Sequence, residues 1–191
     1  MLLKFFFGFT IKGRDHIPKK GGFILASNHR SYIDPIALAA ASPRKLNFVA
    51  REDLFTHPLF GRFLLTLGAF PVKRDSTDIF VIKESIHRLK KGMGLLLFPE
   101  ATRVVDGATV EPKGGVGFLA VKSAAIIIPA FVSGTDKAWP KGAKRIQKSK
   151  ICVHFGKPVQ VEKGLSYQGV ARAIMDDIHE LASATREVEN I

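Results

Sequence analysis

Short apolar runs alternate with segments of helical periodicity along most of the chain, and this alternation limits the possible folds more than any other feature. The runs lie at residues 22–26, 45–50, 68–72, 94–98, 126–132 and 151–155. Apolar runs of this length between turn residues are typical of buried strands, whereas apolar residues spaced three and four apart are typical of amphipathic helices. The sequence therefore predicts an α/β fold: one domain spanning residues 1–191, with a mostly parallel or mixed central sheet flanked by helices.

Polar side chains follow three of the predicted strands at the point where each strand ends. They are His29 and Asp34, then Lys73 and Arg74, then Glu100, Thr102 and Arg103. In an open parallel sheet the carboxyl ends of the strands meet at one edge, which is where ligands bind. A histidine–carboxylate pair with several cations at one edge predicts a general base beside an anion pocket.

The spacing of His29 and Asp34 is informative because residues five apart point about 140° away from each other on a continuous helix. In a turn that leads into a helix, the Asp34 carboxylate can fold back toward the imidazole and fix its tautomer. We predict that Asp34 is the N-cap of a helix with Pro35 at its first position. The alternative, that His29 is an ordinary loop histidine and Asp34 only a cap, is not excluded by spacing alone.

Several familiar catalytic and metal-binding patterns are absent from the sequence. It has no Gly-rich loop ending in Gly-Lys-Ser/Thr, no Gly-x-Ser-x-Gly elbow and no paired-cysteine pattern. The other histidines are scattered, so we predict no metal site and no bound cofactor. The single cysteine, Cys152, excludes an internal disulfide, and its apolar neighbours indicate a small core residue on a strand rather than a nucleophile.

The formal net charge of +12 indicates an anionic partner, which is nucleic acid, an acidic membrane surface, or a phosphorylated substrate with an anionic carrier. We do not expect nucleic acid, because no recognised nucleic-acid-binding module is present and the phenylalanines lie mostly in buried patterns. A non-catalytic basic protein that binds anionic lipid or nucleic acid is the alternative from another functional class.

No stretch reaches the roughly 20 apolar residues that a membrane-spanning helix needs. Residues 1–12 are rich in phenylalanine and carry lysines at positions 4 and 12, which fits either an interfacial membrane-contacting segment or an element packed on the domain. A second apolar group falls on a predicted helix pair and comprises Leu54, Phe55, Leu59, Phe60 and Phe63. We interpret this group as core packing in preference to lipid contact.

Four sequence blocks occur in a fixed order at residues 28–34, 68–74, 98–103 and 128–130. The first reads Asn-His-Arg-Ser-Tyr-Ile-Asp and is similar to the Asn-His-x-Ser-x-x-Asp block of the glycerolipid acyltransferases. The others read Gly-Ala-Phe-Pro-Val-Lys-Arg, Phe-Pro-Glu-Ala-Thr-Arg and Ile-Pro-Ala. Over residues 22–161 the chain resembles this family, which is typified by 1-acylglycerol-3-phosphate O-acyltransferase.

The resemblance implies transfer of a fatty acyl group from acyl-CoA or an acylated carrier protein to a hydroxyl of a glycerophospholipid precursor, without a covalent enzyme intermediate. It implies His29, oriented by Asp34, as the general base, and Arg74 with Arg103 and Lys113 as the cations that hold the acceptor phosphate. Glu100 is expected to fix its loop or to bind an acceptor hydroxyl, with Thr102 beside it in the substrate-binding block.

The first expected acceptor is lysophosphatidate, which would give phosphatidic acid; glycerol 3-phosphate and a lyso-aminolipid are the alternatives. The enzyme is expected to lie peripherally on the cytoplasmic face of an anionic membrane. Two residues depart from the family pattern. Ala101 stands where the family has glycine, a position that could require a positive φ, and Val104 replaces a commonly polar residue.

Overall fold

The computed structural model describes residues 8–72, 78–104, 110–140, 143, 145–161 and 164–189. Over these residues one α/β domain forms around a seven-stranded sheet of order β1-β7-β6-β2-β5-β3-β4. The strands are β1 (Thr10–Lys12), β2 (Phe23–Ser27), β3 (Leu46–Arg51), β4 (Ala69–Val72), β5 (Gly94–Leu97), β6 (Ile126–Ser133) and β7 (Cys152–Phe155). All neighbouring strands are parallel except β6 and β7, so the predicted mixed α/β sheet is confirmed.

Six α-helices in the described residues flank this sheet. They are α1 (Asp34–Ala41), α2 (Pro58–Leu67), α3 (Asp78–Lys90), α4 (Gly114–Ser123), α5 (Thr135–Ala138) and α6 (Tyr167–Glu189). Single 3₁₀ turns occur at Arg14–His16 and Glu52–Phe55. No described helix is long and apolar enough to cross a membrane.

The central strand β2 divides the core into two layers. Its five residues are all buried, as expected for a parallel strand covered on both faces. Because successive side chains of a strand point to opposite faces, Phe23 and Leu25 join the layer under α1 and α2. Ile24 and Ala26 join the layer under α3, α4 and α6. Cys152 is buried on β7, as predicted for a small core residue.

The two apolar segments outside the main strands have different outcomes. Residues 10–12 form the edge strand β1 against β7, so this part packs on the domain, whereas residues 1–7 lie outside the described residues. The interpretation of the apolar helix pair as core packing is wrong for Leu54, Leu59, Phe60 and Phe63, which are exposed. Only Phe55 of that group packs against the core.

Candidate active site

The loop after β2 begins with an asparagine that extends the pairing of the sheet. Asn28 is buried; its Nδ2 donates to the carbonyl oxygen of Val132 at 2.9 Å, and its Oδ1 accepts from the Val132 N–H at 2.8 Å. Just beyond the end of β2, the side-chain amide of Asn28 thus makes the hydrogen bonds to β6 that a further residue of the strand would make with its backbone. This double hydrogen bond fixes the direction in which the chain enters the following loop.

The next residue, His29, meets Asp34 as the spacing suggested. Nδ1 of His29 lies 2.8 Å from Oδ2 of Asp34, and the same oxygen accepts the backbone N–H groups of Arg30 at 2.6 Å and Ser31 at 2.7 Å. The Asp34 side chain is fully buried. Three donors from one tight turn therefore converge on one carboxylate oxygen.

The predicted capping role of Asp34 is wrong. Helix α1 begins at Asp34 itself, with Ile33 at the N-cap position and Pro35 in the first turn. The carboxylate binds the loop that precedes the helix, because the imidazole and the two loop N–H groups occupy Oδ2. Asp34 therefore organises the histidine loop instead of the end of the helix.

The imidazole of His29 is also held by an aromatic ring. It stacks on Phe98, with ring centroids 4.0 Å apart and an interplanar angle of 18°. Because β2 and β5 pair with Ala26 opposite Leu97, Phe98 at the end of β5 comes beside the start of the histidine loop. A carboxylate can only accept a hydrogen bond, so we assign the proton of the neutral imidazole to Nδ1. Nε2 is then free to accept a proton.

Glu100 binds the backbone of the same histidine. Its Oε2 accepts the His29 N–H at 2.7 Å, and the residue is 6% exposed. Burial raises the pKa of Glu100 to about 7, and the negative charge of Asp34 adds to this rise. The hydrogen bond from the His29 N–H and the charge of Arg30 lower the pKa but do not offset the burial.

The loop after Glu100 completes the contact with the histidine loop. The Val104 N–H donates to the His29 carbonyl oxygen at 2.9 Å, so residues 100 and 104 hold both backbone groups of His29. Ala101 has a φ of +54°, which is the left-handed conformation considered for its position from the sequence. Val104 is buried, which accounts for an apolar side chain there.

Arg103 lies at the same edge of the sheet. The Cζ atom of its guanidinium is 3.5 Å from the centroid of the Tyr32 ring, and Tyr32 in turn lies against Trp139. The Nη1 atom of Arg103 is buried and has no hydrogen-bond partner among the described residues. The guanidinium therefore sits beside the histidine loop on an aromatic platform.

A family model described as "Acyltransferase" matches residues 8–133, a range that includes all four sequence blocks. The chain belongs to the Acyltransferase family. It is therefore an acyltransferase, and the contact between His29 and Asp34 described above lies within the first sequence block.

Named relatives agree with this membership. A 1-acyl-sn-glycerol-3-phosphate acyltransferase of Streptococcus pneumoniae is 30% identical over 184 residues, which cover 92% of this chain and 67% of the relative. The enzyme of that name from Bacillus subtilis is 29% identical over 153 residues, covering 80% of this chain and 74% of the relative. The region matched in the chloroplastic 1-acyl-sn-glycerol-3-phosphate acyltransferase LPAT1 of Arabidopsis thaliana covers only 45% of that protein.

A solved structure shares the fold of this acyltransferase. The crystal structure of the 1-acyl-sn-glycerophosphate acyltransferase PlsC from Thermotoga maritima superposes with a TM-score of 0.80 at 25% identity. The superposition covers 93% of this chain and 72% of that chain.

The remaining predicted site residues of the acyltransferase lie at the same edge or outside the described residues. The Lys113 N–H donates to the Pro99 carbonyl oxygen at 2.8 Å, so Lys113 adjoins the third block with its side chain exposed. Thr102, which belongs to the third block, is also exposed. Arg74 lies outside the described residues; β4, which ends at Val72, is three strand spacings or about 14 Å from β2.

Sequence reasoning assigned no role to Asn28 or to Phe98. Both lie inside the blocks that carry the family resemblance, which was the available signal. Their contacts join parts of the chain far apart in sequence, since Asn28 and Val132 are separated by 104 positions. In the described part of the chain, no cluster of three or more histidine, cysteine, aspartate or glutamate residues could hold a metal ion.

Proposed function

We propose that the protein transfers a fatty acyl group from an acyl thioester, acyl-CoA or an acylated carrier protein, to the free hydroxyl of 1-acylglycerol 3-phosphate. The product is phosphatidic acid. The names of the relatives from Streptococcus pneumoniae and Bacillus subtilis support this acceptor. The observation that carries the proposal is the 2.8 Å contact between His29 Nδ1 and the buried carboxylate of Asp34.

In the proposed reaction, Nε2 of His29 removes the proton of the acceptor hydroxyl while the oxygen attacks the thioester carbonyl carbon. A carbon–oxygen ester bond forms, the carbon–sulfur bond breaks, and the departing sulfur receives the proton from the imidazolium. Asp34 holds the ring in the required tautomer and stabilises the transient imidazolium. A positioned base of this kind contributes about 10²–10⁴-fold to the rate.

The acceptor phosphate is assigned to cations at the same edge. Arg103 stacks on Tyr32, and its Nη1 has no hydrogen-bond partner among the described residues, so we assign the guanidinium to the phosphate. Arg74 and Lys113 would complete the phosphate site. Binding the phosphate there would place the acceptor hydroxyl near His29 and so reduce the entropic cost of reaching the transition state.

Glu100 acts in this proposal through the backbone of His29. Its Oε2 accepts the His29 N–H, and we assign it the positioning of the base instead of the role of base. Thr102, exposed on the same loop, is assigned to the wall of the substrate site.

We place the working enzyme on the surface of an anionic membrane, at its cytoplasmic face. The net charge of +12 supports attraction to the negative surface potential of that leaflet. The reaction as written needs no metal or other cofactor.

The experiment is a donor and acceptor panel with purified protein. Radiolabelled acyl-CoA and acylated carrier protein are each combined with lysophosphatidate, glycerol 3-phosphate or a lyso-aminolipid, and the products are separated by chromatography. We expect labelled phosphatidic acid from lysophosphatidate. Labelled product from glycerol 3-phosphate or the lyso-aminolipid alone would contradict the proposed acceptor, and thioester consumption with no lipid product would contradict the reaction.

A further inference from the structure

Helix α2 presents large apolar side chains to solvent. Leu59, Phe60 and Phe63 are exposed, Leu59 by 74%, and Leu54 in the preceding 3₁₀ turn is exposed as well. Phe60 and Phe63 lie side by side, with ring centroids 6.3 Å apart. These four residues are called the α2 face below. Surface helices of globular proteins normally place such side chains toward the core.

The packing of α2 fixes this orientation. Gly61 and Leu64 are the buried residues of the helix. A methyl group at Gly61 would lie 2.8 Å from the Phe55 carbonyl oxygen, so the helix approaches the preceding turn closely at this point. With Gly61 and Leu64 turned inward, Leu59 and Phe63 must face outward.

The α2 face lies at the edge of the sheet that carries the candidate active site. The Glu52–Phe55 turn follows the carboxyl end of β3, and β3 is two strand spacings, about 10 Å, from β2. Ile79 and Phe80, in the first turn of α3 after β4, are also exposed. Apolar side chains from both sides of the sheet are therefore exposed at the edge where His29 lies.

The charge of the helix and the net charge of the whole chain suit an anionic partner. Arg62 is the only charged residue of α2 and is exposed beside Phe63. The whole chain carries +12. In the preceding turn Arg51 is paired with Asp53, and Glu52 adds a negative charge, so Arg62 is the cation that the helix itself contributes. An exposed apolar surface that includes an arginine, on a strongly basic chain, is suited to the boundary between the headgroups and acyl chains of an anionic bilayer.

We propose that the α2 face docks on the surface of an anionic lipid bilayer and so brings the active-site edge to the membrane. This inference deepens the proposed function and rests on it, because an acceptor that is a membrane lipid has to reach His29 from the bilayer. Leu59, Phe60 and Phe63 enter the interface while Arg62 contacts the lipid headgroups.

The test compares the double variant Leu59→Ser/Phe63→Ser with the wild type by sedimentation with vesicles of phosphatidylglycerol and phosphatidylethanolamine. The control is Met93→Ser/Val121→Ser, which removes exposed apolar side chains just before β5 and in the last turn of α4, at the opposite edge. Circular dichroism establishes that each variant is folded. We expect the α2-face variant to lose vesicle binding by at least about tenfold, and the control to bind like the wild type.

Activity separates this inference from the proposed function. On a short-chain lysophosphatidate dissolved as monomers, the α2-face variant should keep the wild-type rate; on acceptor embedded in vesicles its rate should fall with its binding. If the wild type binds vesicles but has no acyltransferase activity, and the α2-face variant loses the binding, the docking proposal is supported and the proposed function is contradicted.

Two results would overturn the docking proposal. One is vesicle binding by the α2-face variant equal to that of the wild type. The other is a wild-type dimer that this variant dissociates, with no vesicle binding by either protein, because the face would then be an interface between two copies of the chain.

Discussion

Among single residues, Asp34 does the most to shape the candidate active site. One of its oxygens accepts from the His29 ring and from two backbone N–H groups, while Oδ1 has no hydrogen-bond partner among the described residues. A buried carboxylate that accepts several hydrogen bonds is costly to replace, since each donor left without a partner loses about 1–3 kcal/mol. The residue therefore serves both the local fold and the orientation of the imidazole.

Replacing Asp34 with asparagine should lower kcat by at least about a hundredfold, because the amide does not hold the imidazole in the tautomer that leaves Nε2 unprotonated. The matched control is Asp53→Asn, which changes a half-exposed carboxylate paired with Arg51. Steady-state kinetics with lysophosphatidate measures both variants. Equal rates for the Asp34 and Asp53 variants would show that the contact with His29 is not used.

The raised pKa of Glu100, about 7, makes a prediction for stability against pH. The ordinary value of 4.5 applies to the unfolded chain, so between about pH 4.5 and 7 the unfolded chain releases a proton that the folded protein still holds. The free energy of unfolding should therefore fall as pH rises through this window. The loss caused by ionisation of Glu100 should reach about 3 kcal/mol above pH 7.

Urea unfolding of the wild type and of Glu100→Gln at pH 5 and pH 8 measures this contribution. Glutamine can still accept the His29 N–H but does not ionise, so the variant should lose less stability than the wild type between the two pH values. The same pH dependence in both proteins would show that Glu100 does not titrate in this range.

Individual residues also mark how far the site could be predicted from the sequence. The local spacing of five residues allowed the contact of His29 with Asp34 but did not exclude an ordinary loop histidine, and the family resemblance raised a positive φ as one possible requirement of the position of Ala101. The double hydrogen bond of Asn28 and the stacking on Phe98 could not be predicted in this way. Both depend on which strands lie next to β2, and no local pattern specifies the order of strands.

At the scale of elements, the strands buried on both faces were the most predictable. Their continuous apolar runs are short and are bounded by turn residues, which favours buried strands over buried helices. The short edge strand β1 carries partly exposed residues and has no such run. The interpretation of the apolar residues of helix α2 as core packing was wrong because apolar residues occur on both sides of the helix. The periodicity therefore does not show which side faces the core.

The contact of α4 with the start of α6 depends on a glycine. A methyl group at Gly117 would overlap the backbone carbonyl oxygen of Tyr167, so Gly117→Ala has to separate the two helices. We expect a loss of about 1–3 kcal/mol in the free energy of unfolding. Gly115 is the control in the same helix, because a methyl group there would meet no atom within 4 Å.

Thermal unfolding followed by circular dichroism compares the two glycine variants. Gly115→Ala should leave the melting temperature unchanged or raise it, since alanine favours helix by about 0.5–1 kcal/mol over glycine. A Gly117→Ala protein as stable as the wild type would mean that α4 and α6 are not in this close contact.

On the scale of the whole molecule, the order of strands assembles the site. β5 pairs with β2, so the loop of residues 98–104 lies against the loop of residues 28–34, although about 70 residues separate them in sequence. β6 pairs with the other side of β2 and supplies the partner of Asn28. Parallel pairing directs the carboxyl ends of β2, β3, β4 and β5 to one edge, which also carries the α2 face.

The most direct test of His29 as the base of an acyltransferase is the rate of phosphatidic acid formation by His29→Ala relative to the wild type, from one acyl thioester and lysophosphatidate. The imidazole side chain is 18% exposed and joins no apolar core layer, so the variant should remain folded. We predict a fall in rate of at least about a hundredfold with the unfolding transition retained. A folded His29→Ala protein that forms phosphatidic acid at near the wild-type rate would contradict the role of His29.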